Sequence, residues 1–303
     1  MISYKTVKSR SLFRSSRILG TLLLVPALLF IVFAVILPIG WNFALSLTDW
    51  NGFSKVEIVG FDNYLKFLKD TSTLKGFIIS IIIALGSSTI ALTVGLFLAL
   101  MINIIGRKTG SAFRLIFFAP SMMPMIVIGL MFTFILTPDI GLINIFLRAI
   151  GLGSLGKAWL GDPKLVLWTL SVVSGWRGSG SVMMLMYTSI VGIPTSMFEA
   201  AKLEGASYFQ QIRRIILPLI MPTIRLVAML VLIGSFKTYD IITVMTKGGP
   251  GDYSMTVPLH MLKQAFLFNQ FGYASTIGVI FTLLVSVIIF LFNKFAKGDV
   301  HEY

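Results

Sequence analysis

Groups able to make or break covalent bonds are scarce in this chain of 303 residues: two histidines, His260 and His301, twelve carboxylates and no cysteine. Without cysteine there is no thiolate nucleophile, disulfide or cysteine-held metal, and the histidines are not at metal-ligand spacing. Arg177-Gly178-Ser179-Gly180 has the outline of a serine-nucleophile motif. Arg177 stands where that motif needs glycine, and neither histidine falls inside an apolar segment to act as base. There is no His-Glu-x-x-His, no paired intramembrane aspartate and no Gly-x-x-x-x-Gly-Lys-Ser/Thr phosphate loop, so enzymatic readings are disfavoured. Glu199-Ala200-Ala201-Lys202-Leu203-Glu204-Gly205-Ala206 offers recognition instead. It is a polar, helix-prone island in an otherwise apolar chain, and a docking place for a soluble protein.

The island carries its own start and stop signals. Ser196 and Glu199 have the spacing of a capping box, which would start a helix over Met197–Glu204, about 12 Å long. Gly205 would end it in the left-handed conformation. Ser207 and Gln210 form a second capping box, opening a helix at Tyr208 that continues through Arg213 and Arg214. Pro218 and Pro222 should bend it. Ala200 and Ala201 then leave a flat surface, and Met197, Phe198 and Leu203 supply apolar anchors. A well-capped loop resting on the bilayer would show the same local pattern.

Such an island needs rigid elements behind it. Hydrophobic residues make up 56% of the chain and charged residues 12%, against about 25% charged in an ordinary soluble domain. Mean hydropathy is +0.91. Six segments are long enough to cross a bilayer, which takes about 20 helical residues: 18–45, 77–104, 113–137, 165–190, 220–245 and 272–293. The expected fold is an all-α polytopic membrane protein with six transmembrane helices and the island loop, 195–218, between the fourth and fifth. Residues 1–17 form a basic N-terminal segment ahead of one membrane domain, 18–303. That segment has the charge of a signal-peptide n-region, but the following apolar stretch is too long and lacks a cleavage site, so a retained first helix is expected. Pro26 and Pro38 interrupt the first span, and Pro120 and Pro124 the third.

Charge sets the orientation. With the N-terminus inside, fourteen Lys and Arg fall in inner segments, among them Arg107, Lys108, Arg114, Lys202, Arg213 and Arg214, against nine in longer outer ones. This bias puts both termini and the island in the cytoplasm. The net charge of +13 is therefore read as a topology signal. It forms no aromatic-interleaved basic face, which disfavours nucleic acid. Of the outer segments, 46–76 reads as turns and short amphipathic pieces, and 246–252 as a tight irregular turn.

Polar groups within spans are costly in hydrocarbon and so are candidates for a solute pathway. Trp176, Tyr187, Tyr239 and Tyr273 could stack on a sugar ring, and Ser179, Ser181 and Gln264 could bond its hydroxyls. The serines would equally serve close helix packing. Lys237 and Asp240, at i,i+3, would pair on one helix face. Arg177, near mid-span, has no local partner in the sequence and reads as a gate, inter-helix or pathway residue.

Glu-Ala-Ala, three residues, Gly, nine residues, Ile, one residue and Leu-Pro resembles the EAA loop of binding-protein-dependent ABC importer permeases. The match holds at Glu199, Ala200, Ala201, Gly205, Ile215, Leu217 and Pro218. Thr48–Gly52, Ile193-Pro194, Lys237–Asp240, Thr246–Pro250 and Phe271–Ala274 are similar to carbohydrate-importer permeases related to the maltose and glycerol-3-phosphate systems, in the short six-helix form. Glu204 stands where that family usually carries Asp. The resemblance implies a bacterial or archaeal plasma-membrane protein that forms half of the pathway for a sugar. It implies a second permease subunit, with a heterodimer favoured, and an extracytoplasmic solute-binding protein. It also implies two cytoplasmic ATPase subunits that carry Mg-ATP, with no cofactor on this chain. The first island helix would be a coupling helix seated in an ATPase cleft, its contact set being Ser196, Glu199, Ala200, Ala201, Glu204, Gly205, Ile215, Leu217 and Pro218. Glycerol phosphate, phosphonate or polyamine would be alternative solutes. An ATPase-independent channel or secondary transporter would have no use for the island.

Overall fold

The computed structural model describes residues 23–105 and 107–296, with backbone alone for 107, 108, 295 and 296. The basic segment 1–17, the start of the 18–45 span, Lys297 and His301 lie outside the described residues. Among the described residues the helices are α1 (Leu23–Ser46), α2 (Asp62–Lys69), α3 (Thr71–Ile104), α4 (Arg107–Met122), α5 (Met125–Ile135) and α6 (Leu142–Ala149). They continue as α7 (Val166–Val191), α8 (Thr195–Leu203), α9 (Tyr208–Phe236), α10 (Asp240–Met245), α11 (Val257–Phe266) and α12 (Phe271–Ala296). Helices α1, α3, α9 and α12 are each long and apolar enough to cross a membrane, and the bent pairs α4–α5 and α7–α8 bring the number to six.

Two expected spans are corrected. The third, 113–137, is not continuous: α4 and α5 meet at 96°. Pro124 has no N–H to extend the α4 ladder, and it pushes Met123 away from helical geometry, so the chain breaks after Met122 and restarts at Met125. The fifth span, set at 220–245, ends at Phe236, where the apolar run gives way to Lys237-Thr238-Tyr239-Asp240. Residues 240–245 form the separate α10. Two other prolines are absorbed without a break. A π-helical turn at Val32–Ile36 precedes Pro38, and another at Ile212–Ile216 precedes Pro218. The wider turn accommodates the carbonyl that a proline ring crowds.

Helices α3 and α7 form the central pair and meet through small residues. A Cβ on Gly95 would lie 2.6 Å from Val182 Cβ, and one on Gly175 would lie 2.7 Å from Ile90 Cβ. Lipid supplies no hydrophobic drive between helices, so close backbone approach of this kind is what holds them. Ser171, Ser174 and Ser179 are buried in or beside this seam. One apolar core, including Met186, Ile190, Ile216 and Ile220, lies toward α8. Another, including Ile83, Ile128, Leu170 and Ile241, lies toward the opposite end.

At that opposite end the segment 46–76 is pinned by an isolated Thr48–Ile58 bridge and by α2. Its Thr48–Gly52 stretch docks on the start of α12. Gly272 N–H donates to Trp50 O at 3.1 Å, and the Trp50 and Phe271 rings lie 5.5 Å apart. A Cβ on Gly272 would stand 1.9 Å from Thr48 O, so only glycine allows this approach. Helix α6 has inverted polarity for a soluble protein. It buries Asn144, bonded to Pro138 O, Lys157 O and the Trp159 indole, and exposes Leu142, Ile145 and Phe146.

Candidate functional site

Residues 193–218 form two helices at one end of the bundle. Pro194, with ψ 131°, turns the chain into α8 at Thr195, and α8 runs at 71° to α7. The helix thus starts two residues before the expected Met197 and closes at Leu203. Ser196 falls inside its first turn and makes no capping bond, so the expected Ser196–Glu199 box is absent. The C-terminus is as expected. Gly205 has φ +77°, its N–H reaches Lys202 O at 3.0 Å, and Ala206 N–H reaches Ala201 O at 2.9 Å. These bonds satisfy carbonyls that a helix end leaves orphaned. The second capping box is formed, with Ser207 Oγ accepting from Gln210 N–H and Gln210 Oε1 accepting from Ser207 N–H.

This pair is fastened to the bundle. Tyr208 Oη donates to Leu100 O on α3 at 2.9 Å, and Gln211 Nε2 donates to Ala206 O at 3.1 Å. Phe198, Ile212 and Ile215 pack on the core that contains Ile190 and Ile216. A cavity of about 460 Å³ remains behind α8, lined by Asn103, Thr195, Phe198, Lys202 and Tyr208 among others.

The site residues divide between two faces. Ser196, Glu199, Ala200, Glu204 and Gly205 are exposed. Ala201, expected beside Ala200 on the outer surface, is instead turned inward and buried, one helical turn from Phe198, which is also directed at the core and not outward. Ile215 and Leu217 are half-buried braces, and Pro218 is exposed just after the π turn. The apolar groups that do face outward are Met197, 40% exposed, Leu203, 91%, and Phe209, 72%. Phe209 was not among the sequence candidates. Its signal was a large aromatic between the two capping-box residues, on the first turn of an otherwise amphipathic helix.

The proposed pathway residues do not converge. Trp176, Arg177 and Ser181 lie where α7 meets the α4–α5 break, while Ser179 is buried beside α3. Trp176 packs edge-on against Phe132, with ring centroids 5.4 Å apart, and Ser179 Oγ donates to Trp176 O at 2.6 Å. Arg177 has partners the sequence did not reveal, the backbone carbonyls of Ser121 and Met123. Tyr187 lies toward α8 beneath the Arg114 guanidinium, 4.5 Å from its ring centre. Lys237, Tyr239 and Asp240 mark the break between α9 and α10, so the single helix face expected to pair Lys237 with Asp240 does not exist.

Gln264 and Tyr273 belong to a polar cluster at the end opposite α8, which also holds Asp70, Thr73 and His260. Asp70 caps α3 by accepting from Thr73 N–H at 3.1 Å. Its other oxygen accepts from Thr73 Oγ1 at 2.6 Å and from Tyr273 Oη at 2.7 Å. With its one proton given to Asp70, Thr73 accepts from His260 Nε2 at 2.9 Å, and the Gln264 amide lies 3.2 Å from the same ring nitrogen. Burial alone would raise the Asp70 pKa, but the bonds from Thr73 and Tyr273 outweigh it and hold the carboxyl below its ordinary range. Burial pushes His260 down, partly countered by Asp70 and Asp252. The sequence signal for the cap was Asp70 directly before Thr71-Ser72-Thr73. Nothing local pointed to His260.

Residues 91–298 match the family described as binding-protein-dependent transport system inner membrane component. The chain is 34% identical over 289 residues to the probable ABC transporter permease YurN of Bacillus subtilis, a match covering 95% of this chain and 99% of that one. It is 31% identical to the diacetylchitobiose uptake system permease NgcF of Streptomyces coelicolor, over 92% and 82% of the two chains. Its fold is similar to that of a chain in a bacterial alginate ABC transporter solved with an alginate pentasaccharide-bound periplasmic protein. There the TM-score is 0.79 at 19% identity, covering 97% of this chain and all of that one. The six-span helical body and the matched region, which includes the Glu199 island, lead to one assignment: the chain belongs to the binding-protein-dependent inner-membrane components, the permeases of ABC transporters.

Proposed function

We propose that the chain is one of two permease subunits of a sugar importer and that α8 is its coupling helix. The carrying observation is the outward face of the island: Met197, Glu199, Ala200, Leu203, Glu204 and Phe209 exposed on α8 and the first turn of α9, both fixed from behind. Exposed apolar residues around a flat alanine suit a cleft in a soluble partner better than water. The partner is a pair of cytoplasmic ATPase subunits that bind Mg-ATP, and the α8 end with both termini is cytoplasmic, as the charge bias favours. A second membrane subunit, a different chain in the favoured arrangement, is what the resemblance to importer permeases implies; α1, exposed over most of its length, is open to such a subunit or to lipid. A sugar cargo is supported by relatives named for diacetylchitobiose, starch degradation products and trehalose/maltose. Its candidate contacts on this chain are the groups left accessible: Trp176, Ser181, Lys237 and Tyr239.

The mechanical requirement is rigidity. Closure of two soluble subunits moves membrane helices as bodies only if the connection does not yield. The Gly205 turn, the Ser207 box and the Tyr208–Leu100 bond remove the yielding parts. Glu199→Lys and Gly205→Leu are expected to insert normally and to lower uptake at least tenfold, with loss of ATPase co-purification. Variants that still retain the ATPase and import at the normal rate would refute the coupling role. Affinity of the solute-binding protein across a panel of mono- and oligosaccharides, glycerol phosphate and phosphonates identifies the cargo.

A further inference from the structure

We infer that Arg177 and Ser121 form a latch that makes the broken third span move together with α7, so that displacement of α8 reaches α5. This rests on the importer reading above.

The latch is built from both sides. Pro124 cannot donate to Pro120 O, which takes the Met123 N–H at 3.2 Å instead, and Val127 N–H bonds to Pro124 O. The carbonyls of Ser121 and Met123 therefore lack the i+4 amides a straight helix would give them. Arg177 supplies the donors: Nη2 to Ser121 O at 3.3 Å and to Met123 O at 3.1 Å, and Nε to Met123 O at 3.3 Å. In return Ser121 enters α7. Its hydroxyl donates to Arg177 O at 2.6 Å and accepts from Ser181 N–H at 3.1 Å, the carbonyl and amide that an α-helix pairs with each other. Gly180 permits the approach, since a Cβ there would be 2.3 Å from Phe117 O.

A neutral donor or a water could cap two carbonyls at less desolvation cost than a guanidinium within a membrane span. What arginine adds is a planar fork that holds two carbonyls in fixed relation and resists sliding. The position of the fork fits a transmission role. Helix α7 continues through Gly192-Ile193-Pro194 into α8. Beyond the break, α5 packs on α10, with Ile128 beside Ile241 in one core and Gly129 against Val244. Arg177 is thus a positioning residue between the docking helix and the α5–α10 pair.

The chain has no native cysteine, so spin labels can be placed cleanly. Labels at Val191→Cys on α7, Phe134→Cys on α5 and Leu283→Cys on α12 occupy positions 59%, 74% and 62% exposed. The pairs 191–283 and 134–283 are measured in the complete transporter in nanodiscs, before and after trapping with Mg-ATP and vanadate. The expectation is that both distances change in the otherwise native chain. In Arg177→Gln the 191–283 change persists and the 134–283 change falls by at least half. A full 134–283 change in Arg177→Gln overturns the latch. Should Arg177→Gln fail to assemble, Ser121→Ala and Arg177→Lys decide: a reduced 134–283 change in either supports the latch, and a full change in both overturns it. If neither pair responds to nucleotide in the native chain, it is the importer reading that fails, and the latch with it.

Discussion

Capping at the island turns on where each serine stands. Ser207 occupies the N-cap of α9 with extended backbone, φ −65° and ψ 160°, so its hydroxyl can reach Gln210 N–H. Ser196 has the same three-residue spacing to an acidic partner, yet Pro194 starts the helix earlier and places Ser196 on its second residue, where a hydroxyl has no orphan donor ahead of it. Spacing alone therefore suggested both boxes, and backbone position allows only the second. Ser207→Ala should cost about 1 kcal/mol. Ser196→Ala should fall within about 0.5 kcal/mol of the native chain, as exposed substitutions without a cap do. Thermal unfolding of the two variants in the same detergent checks the contrast, and equal losses would contradict it. Arg177 shows the converse limit of reading residues singly. Its partners are carbonyls freed by Pro124 on another helix, and a sequence does not display which backbone groups are orphaned.

At the scale of elements, the long apolar helices were legible because about 20 residues of low charge have few alternatives to crossing a bilayer. Breaks inside them were harder to place. Pro38, Pro120, Pro124 and Pro218 look alike in sequence, yet two are absorbed by π turns, one sits within α4 and one produces a 96° bend. The outcome depends on whether a neighbour satisfies the freed carbonyls, as α7 does at the α4–α5 break. The polar cluster that joins α3, α11 and α12 was invisible for a related reason, since its bonded members lie 187 and 203 residues apart. It makes stability depend on pH. His260 is held below its ordinary 6.5, so as pH falls through 6.5 the unfolded chain binds a proton that the folded chain refuses, and stability declines until the folded value is reached. Asp70 is held below 3.8, and its contribution is complete above that value and is lost only in stronger acid. Between pH 7.5 and 5 the decline therefore belongs to His260. His260→Gln is expected to melt lower at pH 7.5, through loss of the Thr73 contact, and to show a flatter pH dependence. A slope as steep as that of the native chain would place the titrating group elsewhere.

For the molecule as a whole, the proposed coupling role puts the island and the segment 46–76 on opposite sides of the membrane. The helices order them that way. Helix α3 runs its 34 residues, about 50 Å, from the Asp70 cap beside α11 and α12 to the Tyr208 bond beside the island. Helix α7 runs back to the island over 26 residues. Which side is which is a proposal resting on the charge bias and on the exposed α8 face, two arguments of different kind. Absence of native cysteine makes the decision experimental. Phe53→Cys and Leu203→Cys place single thiols at positions 87% and 91% exposed, at the two ends. A membrane-impermeant maleimide on intact cells stripped of any outer barrier should label residue 53 and leave residue 203 unmodified until the membrane is opened. In opened membranes, residue 203 should react several-fold more slowly when the ATPase subunits are present than after they are washed away, while residue 53 is indifferent to them. Labelling of 203 from outside would invert the topology. Unchanged reactivity of 203 with the ATPase bound would move the docking surface off α8, even with the topology intact. The two outcomes separate the orientation of the bundle from the location of the docking surface, which no arrangement of helices within the bundle can do.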